Sequence, residues 1–360
     1  MFKRGKFRAF WLALLVVVPL ALVACGGDDD DSTSAPSSDT TPTTEAAAQE
    51  SEPAKLSVQL NFIQNAEHFG ITWADRMGYY ADENLDVTVT PGGQGIDPVA
   101  MVGAGAADIG VGDPSTIMTA VTQGIPIKVF AVEFQKAPTA LTCRADRDIK
   151  EIKDIEGKKI GIKSATAQAL FDQLLDHNDI DGSTLDYAPI GQTSVTEVIA
   201  GIVDCMFTSF SVNEPNSMRR EGIEPVVFLI ADNGIPTQGN AYFTNADTYE
   251  QNKDALARWV RATEKGWQVF LDDPDAAAKW LVDNNIVDGL DLEQQTAQSN
   301  GMVELMVTDF TDEHGLLYLN RQMWLDNAQN IFDEGRVDTL PDVDSILTFE
   351  VLDEAYKKTD

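Results

Sequence analysis

Residues able to hold a small molecule recur at one kind of place in this sequence, the turn that follows a short apolar strand pattern. Asn61 ends the first such pattern, and Glu67 and His68 open the helix behind it. Asp113, Ser115 and Thr116 join a strand to a helix, and Ser164 and Thr166 do the same further on. Phe134 and Phe210 stand at strand ends, where a ring can stack a flat ligand or fill the core. Gln238 and Asn240 lie where the chain returns to its first part. These groups donate and accept hydrogen bonds. Ser115 or Thr116 can cap its helix, Ser164 suits an N-cap, and Glu67 suits a helix dipole. The expected chemistry is recognition.

Reactive constellations are missing from the pattern. There is no Cys-x-x-Cys or His-x-x-x-His, and His68, His177 and His314 are scattered, so no metal site is expected. No nucleophile elbow, P-loop or dinucleotide fingerprint occurs, and no cofactor is expected. Cys143 and Cys205 end two predicted strands. They can pair outside the cytoplasm or stay as buried thiols.

The elements that must position these residues alternate. Strands are expected at 56–62, 85–90, 107–111, 127–134, 140–143, 159–162, 185–189, 205–208, 224–229 and 242–244. Helices are expected between them, at 68–80, 97–104, 115–123, 165–177, 194–201 and 213–221. This alternation predicts an α/β fold of parallel sheets with helices on both faces. The chain then turns helical over 253–272, 274–284, 292–306, 319–334 and 349–357. Trp259, Trp267, Trp280 and Trp324 fall there at core spacing. Open sheets of this kind bind ligands outside the carboxyl ends of their strands, which is where the candidates sit.

The N-terminus carries an address. Lys3, Arg4, Lys6 and Arg8 precede an apolar run from Phe10 to Val23, followed by Leu22-Val23-Ala24-Cys25. The run falls short of the roughly 20 apolar residues of a spanning helix, and small residues mark a cleavage point. Residues 1–24 therefore read as an export signal. Residues 25–54, rich in Asp, Ser, Thr, Pro, Ala and Glu, read as a disordered tether. The formal net charge of −32, about −36 without the four signal cations, excludes nucleic acid as partner.

Several stretches, taken in order, resemble a known family. They are Leu60-Asn61-Phe62 with Asn65-Ala66-Glu67-His68, Gly78-Tyr79-Tyr80, Pro91-Gly92-Gly93, Gly105 to Val111, Ile155 to Gly161, and Leu271-Asp272-Asp273-Pro274. The set resembles the type II solute-binding proteins of ABC importers, in the branch of sulfonate, nitrate, riboflavin and thiamine-pyrimidine-precursor binders. The Leu-x-Ala-Cys ending resembles a lipobox, which implies a lipid on Cys25 and a place on the outer face of the membrane. The resemblance implies a two-lobed clamp, with lobe 1 at 56–140 plus 237–360 and lobe 2 at 141–236. It implies a monomer that closes on its ligand and docks on a permease with its ATPase. Asn213 and Glu214 resemble the inter-lobe crossing, where the family often places an acidic residue toward the cleft.

Amides and carboxylates around aromatic walls suit a neutral or cationic heterocycle better than a sulfonate or nitrate. The expected ligand is thus a thiamine pyrimidine precursor or a riboflavin-like ring. Pyrimidine synthases share the family's fold and carry Gly-Leu-Lys-x-x-x-His after the third strand. Here Gly112 stands for the Lys and Thr116 for the His, so no enzyme activity is expected.

Overall fold

A computed structural model describes residues 52–93, 95–191 and 195–357. The export signal, Cys25 and the tether up to residue 51 lie outside the described residues. Ten strands form two sheets: β1 Ala54–Gln59, β2 Leu85–Thr90, β3 Ile109–Gly112, β4 Ile127–Phe134, β5 Thr139–Arg144, β6 Lys159–Ile162, β7 Asp186–Pro189, β8 Cys205–Phe210, β9 Pro225–Leu229 and β10 Gly239–Asn245. The first sheet has the order β2-β1-β3-β10-β4 and the second β7-β6-β8-β5-β9.

The α/β class is as expected, but only part of each sheet is parallel. β1 runs parallel to β2 and β3, and β6 to β7 and β8. β10 is antiparallel to β3 and β4, and β5 to β8 and β9. In both sheets the antiparallel strand is the one that has just crossed from the other sheet. Strand–helix alternation reports the units present, whereas the direction of a strand entering from elsewhere depends on the crossing.

The two crossings, residues 135–138 and 230–238, lie side by side. Ala137 N donates to Thr237 O at 2.8 Å, and Gln238 Nε2 donates to Gln135 Oε1 at 2.6 Å. Packing on the second sheet follows the strand period of two. Cys205 and Phe207 of β8 face one core with Phe171, while Met206 faces another with Val198 and Met218. Cys143 and Cys205 are register partners of β5 and β8 and are joined in a disulfide.

The helical return closes the first sheet. Helix Ala246–Asp272 starts earlier than its periodicity suggests, because Asn245 caps it by accepting from Thr248 N, and a kink at Asn252 interrupts the pattern. Trp259, Trp267 and Trp324 are buried as expected, while Trp280 is only partly so. The short helix Asp309–His314, at whose start Thr311 Oγ1 accepts from Thr308 N, was too brief to leave a periodic signal. No helix among the described residues is long and apolar enough to cross a membrane.

Helix Phe69–Arg76 crosses Ala246–Asp272 at two glycines. A Cβ on Gly266 would lie 2.2 Å from the Gly70 carbonyl oxygen, and one on Gly70 would lie 2.5 Å from the Trp267 ring. Backbone at that distance cannot yield without separating the helices. Gly266→Ala should therefore cost about 1–3 kcal/mol of stability, read from urea unfolding; an unchanged midpoint would refute this account of the crossing.

Candidate ligand-binding site

The chain leaves β1 through fully buried Leu60 into Asn61. The Pro91–Gly93 turn lies against this exit: Gly92 N donates to Phe62 O at 2.8 Å, and a Cβ on Gly92 would sit 2.2 Å from Leu60 O. Only glycine permits that approach. Asn65 then accepts from Glu67 N and starts the turn Ala66–His68, which buries the Glu67 side chain.

Asn240 gathers these residues. Its Nδ2 donates to Glu67 Oε1 at 3.0 Å, and its Oδ1 accepts from Asn61 Nδ2 at 3.3 Å. Its backbone holds φ +50, a left-handed conformation that asparagine tolerates better than most residues. Asn61 Oδ1 is buried with no hydrogen-bond partner. Burial pushes the Glu67 carboxyl up to about 6, the Asn240 bond opposes this, and the Glu214 charge adds to it.

A second carboxyl lies behind the first. Glu133 of β4 is fully buried, and one of its oxygens has no partner. Tyr242 Oη donates to its Oε2 at 3.2 Å, and Trp267 Nε1 donates to Tyr242 Oη at 3.1 Å. Burial, then the Glu67 charge, hold Glu133 well above the usual carboxylate range against its bonds to Tyr242 and Asn240. Both carboxyls thus hold a proton more tightly than an ordinary carboxylate does.

The second sheet supplies a further polar cluster, and the charge of its Glu214 is felt at Glu67. Lys163 follows β6; its Nζ donates to Thr208 O at 2.9 Å and stands 3.6 Å from Glu214 Oε1. Glu214 Oε2 accepts from Phe210 N at 2.8 Å. Thr208 is the residue skipped where the β5–β8 register shifts, and its φ is +58. A β-branched residue is strained there, which turns the Thr208 carbonyl to the lysine. Beside this cluster a cavity of about 360 Å³ opens at the ends of β6 and β7.

The structure redistributes several expected roles. Asp113, not Ser115 or Thr116, caps its helix: its Oδ1 accepts from Thr116 N, with Pro114 fixing the first turn. Ser115 donates to Asn327, and Thr116 is exposed beside the cap. Ser164 is an N-cap as anticipated, accepting from Ala167 N; the Thr166 side chain lies outside what is described. Phe134 is fully buried edge-on to Phe210, so it is core rather than an open stacking face. His68 is fully buried with neither ring nitrogen bonded, and burial lowers it to about 3, so it is neutral. Asn213 accepts from Gln294 of the helical return.

Gln238 is corrected outright. Its Nε2 donates to Gln135 Oε1 and Tyr318 O, and its Oε1 accepts from Asn320 N and Trp324 Nε1. Every donor and acceptor of the amide is used within the protein. Glu133, Tyr242, Trp267 and Lys163 are missing from the expected site. Glu133 left one legible signal: it is the sole acid in the otherwise apolar stretch Val129-Phe130-Ala131-Val132-Glu133-Phe134.

Comparison with known proteins places this geometry in a family. The sequence pattern described as NMT1/THI5 like matches residues 65–277, more than half of the chain. The chain belongs to the NMT1/THI5-like family. The resemblance carried by the ordered stretches of the sequence is thereby borne out. The riboflavin-binding protein RibY of Chloroflexus aurantiacus is 24% identical over 304 residues, 82% of this chain and 85% of that protein. A Legionella pneumophila protein named 4-amino-5-hydroxymethyl-2-methylpyrimidine phosphate synthase is 22% identical over 65% of this chain and 75% of its own. The periplasmic nitrate-binding protein NrtA from Synechocystis PCC 6803 shares the fold, with TM-score 0.63 and 13% identity over 84% of this chain and 88% of that one. In this NMT1/THI5-like chain the fold is thus that of the periplasmic binding proteins.

The raised Glu67 carboxyl has a consequence for stability. The folded chain holds a proton on Glu67 that the unfolded chain has lost between its ordinary 4.5 and about 6. Folding stability attributable to this group is therefore full below 4.5 and falls as pH rises through 6, by roughly 2 kcal/mol. Glu67→Gln should remove that decline from urea-unfolding free energies measured between pH 4 and 7. A parent and variant with parallel pH profiles would show that Glu67 ionises freely.

Proposed function

We propose that this chain is an extracytoplasmic, lipid-anchored solute-binding protein of an ABC importer that closes two lobes on a small flat heterocycle, of the thiamine-pyrimidine-precursor or riboflavin kind. The observation that carries this reading is the hydrogen-bonded Asn61–Asn240–Glu67 set together with Glu214, whose charge is felt at Glu67. Amides and carboxyls grouped in this way suit ring N–H and amino groups, and they raise the cost of placing an anion among them. Lys163 is engaged by Thr208 O and Glu214. The proposed contacts are Asn61, Glu67, Asn240, Phe210, Asn213, Glu214 and Ser164.

The names of relatives support a ring ligand, since one is a riboflavin-binding protein and another is named for an aminopyrimidine product. The second name also raises an enzyme reading. Gly112, at the position expected for a Schiff-base lysine, has no amine, and a Cβ there would meet the Phe243 ring at 3.1 Å. Binding without turnover is the better fit.

Isothermal titration should show binding of 4-amino-5-hydroxymethyl-2-methylpyrimidine or riboflavin, and none of nitrate or alkanesulfonates; binding of sulfonates alone would sink the proposal. Pyridoxal phosphate should produce no imine absorbance. Cys25→Ser should release the protein from the membrane fraction and leave solution affinity unchanged. A fall in affinity would make the tether part of the site.

A further inference from the structure

The ring-sized polar set does not exhaust the space beside it. The cavity of about 360 Å³ at the ends of β6 and β7 is bounded by Lys163, Ser164, Gln168 and Tyr187 over a floor that includes Ile162 and Pro189. Lys163 belongs to both places, since its Nζ is 3.6 Å from Glu214, and the Glu214 charge is felt at Glu67. A ligand seated between Glu67 and Glu214 therefore has this cavity as its neighbour on the second lobe.

The lining identifies what the cavity accepts. Ser164 Oγ accepts from Ala167 N, which leaves its own hydrogen to donate. Gln168 Nε2 donates to Asp172 Oδ1 at 2.6 Å, which leaves the amide oxygen and a second N–H. Tyr187, 36% exposed, is held edge-on by Phe171; its hydroxyl donates to Gly182 O at 3.4 Å, which leaves its oxygen to accept. Hydroxyl, amide and phenol are uncharged groups that both donate and accept, and hydroxyl groups on a ligand do the same. A phosphate is disfavoured, because the Asp172 charge bears on Tyr187 and Lys163 already serves Thr208 O and Glu214.

We propose that the β6–β7 cavity is a second subsite that takes a short polyhydroxylated side chain carried by the heterocycle, with Ser164, Gln168 and Tyr187 as its hydrogen-bonding groups. The proposal rests on the ring-binding reading above and deepens it, because it makes the preferred ligand a ring with a polyol tail rather than a bare pyrimidine.

The test titrates the purified protein with riboflavin, with lumichrome (the same ring system without the polyol), with the phosphorylated flavin FMN, and with 4-amino-5-hydroxymethyl-2-methylpyrimidine. Riboflavin should bind about tenfold or more tightly than lumichrome, in keeping with two or more hydrogen bonds. Gln168→Ala combined with Tyr187→Phe should erase that difference while lumichrome affinity stays the same. Both substitutions are at the cavity surface, and Tyr187→Phe keeps the ring packed on Phe171. Equal affinity for the two flavins, or a difference that survives the double variant, overturns the subsite. FMN binding as tightly as riboflavin overturns its polyol character. Binding of the pyrimidine with no flavin binding overturns the subsite and leaves the ring reading intact. If none of the four binds, the ring reading itself fails and the subsite falls with it.

Discussion

Both sheets owe their relative placement to two short strands of chain held together at their crossing. Gln238 is the fastening: buried, it spends all four hydrogen-bonding positions of its amide on Gln135, Tyr318, Asn320 and Trp324. Residues 135–138 and 230–238 are thereby tied to each other and to the helical return. An amide buried without these partners would cost about 1–3 kcal/mol for each unsatisfied group. The arrangement is therefore made as a whole or not at all. From it follow the direction of β5 and β10, the position of Asn240 two residues beyond Gln238, and the meeting of Phe134 with Phe210.

The site inherits its electrostatics from that joint. Asn240 stands at the start of β10 and bridges two carboxyls, Glu67 from the β1 exit and Glu133 from β4. Two buried acids this close cannot both be charged at little cost, and the protein resolves the conflict by depth. Glu133, enclosed by Tyr242 and Trp267, is held well above the usual carboxylate range, whereas Glu67 is pushed up to about 6. The result is a polar surface with an adjustable charge, beside which Lys163 is engaged by Glu214 and the Thr208 carbonyl. The nitrate-binding protein NrtA shares the fold. A shared fold does not carry a shared ligand; the site residues decide that.

Left-handed backbone also occurs at this edge. Thr208 and Asn240 hold positive φ at matching places, one at the end of β8 and one at the start of β10. Each turns a polar group to a partner on another element: the Thr208 carbonyl to Lys163, and the Asn240 amide to Glu67. Such residues persist only where surrounding contacts over-determine them.

Much of this was legible in the sequence for a local reason. Strand and helix periodicity, the Ser164 cap, the tryptophan-lined helical return and the ordered glycine-rich stretches depend on residues a few positions apart. They sufficed for the α/β class and the family. The antiparallel entry of β5 and β10 was not legible, because it is set by crossings rather than by any strand's own pattern. Gln238 and Asn240, alike in the sequence as polar residues flanking Gly239, proved opposite in role. One is saturated by the helical return, and the other faces Glu67 across 173 residues of chain. Glu133 announced itself only as an acid in an apolar run. Its proximity to Glu67, which adds to the burial that raises Glu133, exists only once β4 and the β1 exit are brought together. The sequence by itself determined which groups are available and where each local element begins. The tertiary structure decided which groups remain unspent, because hydrogen-bond saturation and carboxyl coupling are properties of through-space neighbours far apart along the chain.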